Sequence, residues 1–322
     1  MISGAAGQRL RKRASYAAVV VGTLLIAVKL AAWIGTGSVA LLSSLVDSFV
    51  DVGASLLNLF AIQQAAVPAD REHRFGHGKA EPLAALAQSA FLGGSALLLM
   101  AEAIRRLVSP TPVVHAVSGI AVMACAIVLT IALVTYQRHV VRLTGSLAIG
   151  ADELHYRSDL VLNGSVIATL LLGSWLSAPI LDPLVGAAVG IWIIYGAAKI
   201  ARLSLTQLMD RELPDAERAL VRKIAEGHPE VQSVHDIRTR AAGPTAFIQL
   251  HIEMDGDMKL LRAHEISDSV EADLRRAFPH AEIIIHEDPA GIEETVMFPG
   301  PERSEDPLSG DLAQGEALPD LR

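Results

Sequence analysis

Asp47 and Asp51 stand four residues apart in one long apolar stretch, and His155 and Asp159 stand four apart in another. The spacing i, i+4 stacks two side chains on one face of a helix, about one turn apart. If the two helices face each other, three carboxylates and one imidazole converge on a common point. Such a nest suits a divalent cation in tetrahedral coordination, zinc above all. A charge near the bilayer centre costs several kcal/mol, so it is kept mainly where it meets a partner, an ion or a water-filled path. The competing reading is that the pairs merely stitch helices together. Interhelical polar bonds in membranes average only about 0.6 kcal/mol, too little to justify three carboxylates in hydrocarbon.

Other residue types narrow the chemistry. The only cysteine is Cys125, in the middle of an apolar stretch, so a disulfide framework and a thiolate metal site are both excluded. Histidine and carboxylate ligands suit zinc but also iron(II), cobalt, manganese and cadmium. Magnesium and calcium want more oxygens. An intramembrane metalloprotease needs a catalytic Glu beside its ligands, as in His-Glu-x-x-His. Here His264-Glu265 is followed by Ile-Ser-Asp, so an enzyme is not expected.

The elements that must hold these groups follow from hydropathy. Hydrophobic residues make up 51% of the 322-residue chain, and charge is scarce up to about residue 210. A spanning helix needs roughly 20 mostly apolar residues. Six stretches qualify: 15–35, 39–66, 80–108, 113–137, 148–174 and 178–208. The first follows Arg9, Arg11, Lys12 and Arg13 but is too long for a cleaved leader and lacks a small-residue cleavage pattern. The basic N-terminus (1–14), the 67–79 connection with Arg71, Arg74 and Lys79, and the 138–147 connection with Arg138 and Arg142 carry the positive charge. Connections 35–38 and 173–182 have none, and only Arg105 and Arg106 oppose the pattern. Positive charge marks the cytoplasmic side, which places both termini in the cytoplasm. Lys29, inside the first stretch, is left without a firm role.

Beyond the six-helix bundle (15–208), residues 209–292 read as a small cytoplasmic α+β domain. Helical spacing over 215–227, β-rich runs over 231–241 and 245–254 separated by Gly243-Pro244, an amphipathic helix over 259–278 and a strand over 281–288 give the order αββαβ. That order is expected to fold as an open-faced, metallochaperone-like two-layer sandwich. Residues 293–322 hold eight acids against two arginines, most of the net charge of −8, and are expected to be disordered. No nucleic-acid partner is expected.

Two further groups of potential ligands lie outside the lipid. Asp70, His73 and His77 crowd one short loop, which reads equally as a solvated polar connection and as a metal site. In 247–254 strict alternation places His251 on the polar face of its strand, and His286 and Asp288 share a face of the last one. With His235 and His264 they have the composition of a two-metal site. His228 and His280, each beside a proline, read as solvated loop residues.

The runs Leu45-Val-Asp-Ser-Phe-Val-Asp51, Pro68-Ala-Asp, Phe75-Gly-His-Gly-Lys-Ala-Glu81 and His155-Tyr-Arg-Ser-Asp159 resemble the cation diffusion facilitators. More narrowly, they are similar to bacterial ferrous-iron/zinc efflux antiporters. The likeness continues through His235-Asp-Ile-Arg-Thr-Arg240, Phe247-Ile-Gln and Ile285-His-Glu-Asp-Pro289, and covers roughly residues 10–290. The resemblance implies a transport site of Asp47, Asp51, His155 and Asp159, and a loop site of Asp70, His73 and His77. It also implies a binuclear site of His235, His251, His264, His286 and Asp288 that steadies a homodimer, and a charge network joining Lys79 and Asp210 at the dimer hinge.

Function follows as an expectation: a multi-pass carrier in the inner membrane of a bacterium that exports divalent cations against protons. Zinc is the first choice of substrate and the expected structural or regulatory ion, with iron(II), cadmium and cobalt as alternatives. A membrane-anchored metal sensor or scaffold is the competing reading. It accounts for the domain histidines but not for the intramembrane carboxylates. Gly93-Gly94 and Gly186/Gly190 offer small faces that serve either dimer contact or packing within one chain. Where relatives carry a neutral polar residue, this chain has Arg157, which helical geometry turns away from His155.

Overall fold

A computed structural model describes residues 4–37, 39–108, 120–176, 181–243 and 245–292. The acidic stretch 293–322 lies outside the described residues. The chain divides into two compact units, Met1–Met209 and Asp210–Arg322.

The first unit is all helical: α1 (Gly4–Thr36), α2 (Val39–Ala65), α3 (Ala80–Val108), α4 (Ile120–Thr144), α5 (Leu147–Leu176) and α6 (Leu181–Leu208). Among the described residues, five of these helices contain stretches long and apolar enough to cross a membrane: Gly4–Gly35, Ser44–Ala65, Ala80–Val108, Ala124–Thr144 and Pro183–Leu208. The remaining helix, α5, is 30 residues long. Large apolar side chains such as Leu98, Tyr195 and Ile34 point outward and are over 70% exposed, which a helix tolerates where its outer face meets lipid. Helix ends differ from the sequence expectation. The first helix begins at Gly4, so Arg9, Arg11, Lys12 and Arg13 ride on its first turns, and α4 runs on through Arg138 and Arg142. Continuous backbone hydrogen bonding carries these polar turns as helix, a signal that hydropathy alone does not give.

Small residues set the helix spacing. A Cβ on Gly190 would stand 3.3 Å from Met100 Cε and 3.6 Å from the Ala96 carbonyl oxygen, and one on Gly186 would reach Ala103 Cβ at 3.9 Å. Gly93 likewise faces Ala197 Cβ, at 3.9 Å. These three glycines therefore serve the α3–α6 contact inside one chain. At Gly196 an added Cβ would lie 2.9 Å from Leu154, and at Gly22 it would lie 2.6 Å from Val52 and 3.2 Å from the Tyr156 hydroxyl. Both glycines let neighbouring backbones close on α5 beside His155.

The second unit has α7 (Asp215–Glu226), β1 (Ser233–Ala242), β2 (Thr245–Met254), α8 (Leu260–Ala277) and β3 (Ala281–Pro289), in the αββαβ order. Ile248, Leu250 and Ile252 alternate along β2 and meet Val221 of α7 and Ile266, Val270 and Leu274 of α8, the last three at four-residue spacing. The sheet order is β1-β2-β3. A hairpin with Gly243 at φ 61° makes β1 and β2 antiparallel, and the α8 crossover makes β2 and β3 parallel. Acids Asp215 and Glu217 open α7, and Arg275 and Arg276 close α8, each sign matching its end of the helix dipole.

Candidate metal centres

On α2, residues 44, 48, 51, 55 and 58 recur at three- and four-residue intervals and form a polar stripe: Ser44, Ser48, Asp51, Ser55 and Asn58. It faces Asp152, His155, Tyr156 and Asp159 of α5. His155 Nε2 lies 2.9 Å from Asp51 Oδ1 and 3.8 Å from Asp159 Oδ2. One ligand atom from each of Asp51, His155 and Asp159 fits within a 4.8 Å sphere of mutual distances. The His155 side chain is only 6% exposed, against 20% for Asp51 and 36% for Asp159, so the imidazole forms the closed end of the nest. Its Nδ1 is buried without a hydrogen-bond partner among the described residues, so no outer partner fixes the tautomer.

Asp47 is not part of that three-atom cluster. It lines the same cavity, of about 470 Å³, into which Asp51, His155 and Asp159 open. It sits one turn before Asp51 on α2. Arg157 does turn away: it lies 3.4 Å from Glu153 and its guanidinium sits 4.9 Å over the Trp192 ring.

One layer deeper is a network that the sequence reading missed. Asp152, 1% exposed, accepts hydrogen bonds from Ser55 Oγ (3.1 Å), Gln88 Nε2 (3.2 Å) and Gln137 Nε2 (2.6 Å). Ser55 also meets the Tyr156 hydroxyl at 3.0 Å, and Asn58 donates to Gln88 and to the Ala148 carbonyl. Three helices, α2, α3 and α4, are thereby tied to α5, with Asp152 one turn from His155. At one end of the bundle Glu81 accepts from Arg11 at 3.1 Å and from Ser146, joining α1, α3 and the turn before α5.

In the α2–α3 connection, Asp70 Oδ1 accepts from the backbone N–H of His73 (2.7 Å) and of Glu72 (2.9 Å), closing a tight turn. The His73 N–H above all, with the Glu72 N–H in support, holds the Asp70 carboxyl below the usual carboxylate value. His73 Nδ1 stands 3.5 Å and His77 Nε2 3.4 Å from Asp70, and the three offer ligand atoms within 4.8 Å of one another.

In the second unit, strand register aligns His235 with His251 and His251 with His286 across all three strands. Their rings lie 5.2 Å and 4.6 Å apart, centre to centre. Asp288, 6% exposed, reaches His251 Nδ1 at 2.8 Å, His235 Nε2 at 3.4 Å and His286 Nε2 at 3.2 Å. His235, His251 and Asp288 form the compact ligand group. Two residues outside the sequence reading border it: Glu253, 3.3 Å from His235, and Asp236, 3.7 Å from His251. Asp236 adopts a left-handed φ of 46° where the β1 register shifts, a bulge that re-aims the strand beside the ligands. His264 does not join this rank. It lies on α8, where it is 65% exposed and 3.6 Å from Asp268. Lys79 donates to the Leu208 carbonyl at 3.2 Å in the first unit, and Asp210 accepts from Arg240 at 3.3 Å in the second.

A long apolar helical bundle with an imidazole–carboxylate nest inside it, followed by a small domain with aligned histidines, defines a membrane protein that handles metal cations. Residues 15–209 match the family model described as the cation efflux transmembrane domain, and residues 213–290 match the cation efflux protein cytoplasmic domain. The chain is 47% identical over 284 residues to the cation-efflux pump FieF of Cronobacter sakazakii, covering 88% of this chain and 94% of the relative. Its counterparts in Shigella boydii and Escherichia fergusonii are 46% and 47% identical over 284 residues, with the same coverage. Two solved structures described for the zinc transporter CzrB, one in its zinc form, share 34% identity over 27% and 24% of this chain and 99% of theirs, with TM-scores of 0.25 and 0.24. The chain belongs to the cation-efflux family, the cation diffusion facilitators. It is a multi-pass membrane protein of a transporter family, and divalent cation efflux is its class of activity.

Proposed function

We infer that this chain is a proton-coupled antiporter that exports divalent transition metals, zinc first, from the cytoplasm by alternating access. The observation that carries the reading is the convergence of Asp51, on a helix long and apolar enough to cross a membrane, with His155 and Asp159 of α5. With Asp47 they supply three carboxylates and one imidazole, a tetrahedral donor set. Iron(II), cadmium and cobalt accept the same donors. The relatives are named cation-efflux pumps, which supports export of a cation here, and the donor set favours a transition metal.

Binding a dication requires a neutral imidazole and ionised carboxylates, so loading the site releases protons and protonation expels the metal. His155 is the main proton carrier in this reading, because imidazole is the side chain that ordinarily titrates near physiological pH. Rocking of the helices around the fixed site exposes it alternately to the two sides. α5 serves as a sixth crossing, and both termini face the cytoplasm of a bacterial inner membrane, by the distribution of Lys and Arg. The second unit holds structural or regulatory zinc through His235, His251, His286 and Asp288, with His264 as an outlying member of the set, and pairs with a second copy to form a homodimer. The loop group of Asp70, His73 and His77 is a further metal site. Lys79 and Asp210 are proposed to steady the dimer hinge.

Removing one ligand tests the reading. Proton-driven zinc uptake into vesicles is expected to fall at least about a hundredfold in Asp51→Ala and in His155→Ala, since even outer-shell partners of a metal contribute ten- to a hundredfold. Full uptake by both variants would remove the transport site.

A further inference from the structure

Lys29 sits within the first apolar stretch, where an ammonium is costly, and the structure shows where it goes. Its side chain leaves α1 and lines the same cavity as Asp47, Asp51, His155 and Asp159. There Nζ donates to Ser48 Oγ at 2.6 Å and to the Ser44 carbonyl oxygen at 3.1 Å, both on α2. Ser48 is 2% exposed, directly follows Asp47 and lies three residues before Asp51. Apart from His155, Lys29 is the one basic residue among the described residues that line this cavity. It donates to a hydroxyl and a carbonyl of α2 and so is held beside the carboxylates without occupying their ligand positions.

We propose that Lys29 is a tethered counter-cation of the transport site, held on Ser44 and Ser48, which weakens binding of the dication enough for release and matches the site to a charge of two. This rests on the transport reading above. Three carboxylates, one ammonium and one dication sum to zero, so the loaded cavity is neutral where a net charge is most costly. Without the ammonium the loaded cavity carries one surplus negative charge, and the metal sits in a deeper well. Repulsion between an ammonium and a dication in a poorly screened cavity is long enough in range to act from the Ser48 position. Ser48 is then a positioning residue. Losing its acceptor oxygen frees the ammonium to lean on Asp51 and compete with the metal.

Two variants therefore move zinc handling in opposite directions, which a merely structural role would not do. Zinc uptake by full-length protein in vesicles gives KM and kcat, and equilibrium zinc binding at pH 8, taken as the difference from Asp51→Ala, gives the affinity of the transport site. Lys29→Met is expected to bind zinc at least about fivefold more tightly, with lower KM and lower kcat, because release slows. Ser48→Ala is expected to bind zinc about threefold or more weakly, with raised KM. Unchanged affinity in Lys29→Met, or weaker binding in both variants, overturns the proposal. If Lys29→Met does not insert stably, Ser48→Ala decides alone: unchanged or tighter binding refutes it. Full uptake by Asp51→Ala would refute the transport reading instead, so the two failures are distinguishable.

Discussion

At the scale of single residues, the proposed transport nest rests on groups outside its set of ligands. Asp152 is such a group: its two oxygens accept from Ser55, Gln88 and Gln137, on three other helices. Asp152→Ala leaves those buried donors without an acceptor. A loss of about 2–4 kcal/mol is expected, read as a lowered melting temperature of the purified protein. Asp152→Asn should cost less, because Gln137 Oε1 is buried without a hydrogen-bond partner among the described residues and can accept from the new amide once the Gln137 amide turns. Equal losses in the two variants would refute this account of the network. The loop site offers a pH test. In the folded chain the Asp70 carboxyl titrates below its ordinary value, chiefly because the His73 N–H binds the ionised form. Its contribution to the turn is therefore fully present above the ordinary carboxylate value and is lost as pH falls through the lower folded value. Carboxyl NMR should show Asp70 titrating below an unstructured aspartate, and the depression should vanish on unfolding.

At the scale of elements, close approach of helices is what brings the ligands together. Gly190 leaves room for Met100 and for the α3 backbone at Ala96. Gly190→Leu should push α3 and α6 apart and cost about 1–3 kcal/mol, the usual range for overpacking. Gly94 is the control, since nothing lies within 4 Å of a Cβ built there. Gly94→Ala should be neutral or slightly stabilising in thermal unfolding, because alanine is the better helix former. Comparable destabilisation by both would mean that the packing at Gly190 is not what matters. In the second unit the ligands are placed by register: the parallel pairing of β2 with β3 sets His286 level with His251, and the hairpin sets His235 level with it on the other side. That alignment could be anticipated only in part. Two-residue alternation placed His251, and separately His286 with Asp288, each on one strand face. Which strands pair, and in what register, depends on the α8 crossover. The same limit explains His264, whose residue type suits a ligand but whose helix carries it away from the rank.

At the scale of the whole chain, composition and period were enough for a bundle of apolar helices followed by a small α+β domain, while five of the six expected spans, all but that of α5, are long and apolar enough to cross a membrane among the described residues. Runs of some 20 apolar residues mark spans regardless of their neighbours, and the αββαβ domain shows itself by alternation in 247–254 and helical spacing in 259–278. The i, i+4 pairs on α2 and α5 were legible for the same local reason. The Asp152 network was not, since Ser55, Gln88, Gln137 and Asp152 are polar residues on four helices and nothing local says which way each helix turns. The α2 stripe from Ser44 to Asn58 was a readable hint of that surface, because its period continues past the two aspartates. The central claim is a dication held inside the bundle by Asp47, Asp51, His155 and Asp159. The most direct measurement is anomalous scattering from a crystal of the full chain soaked in zinc. An anomalous peak within bonding distance, about 2.0–2.2 Å, of His155 Nε2 and of carboxylate oxygens from both α2 and α5 is the expected result. Strong peaks at the loop and the aligned histidines, with none between α2 and α5, would contradict it.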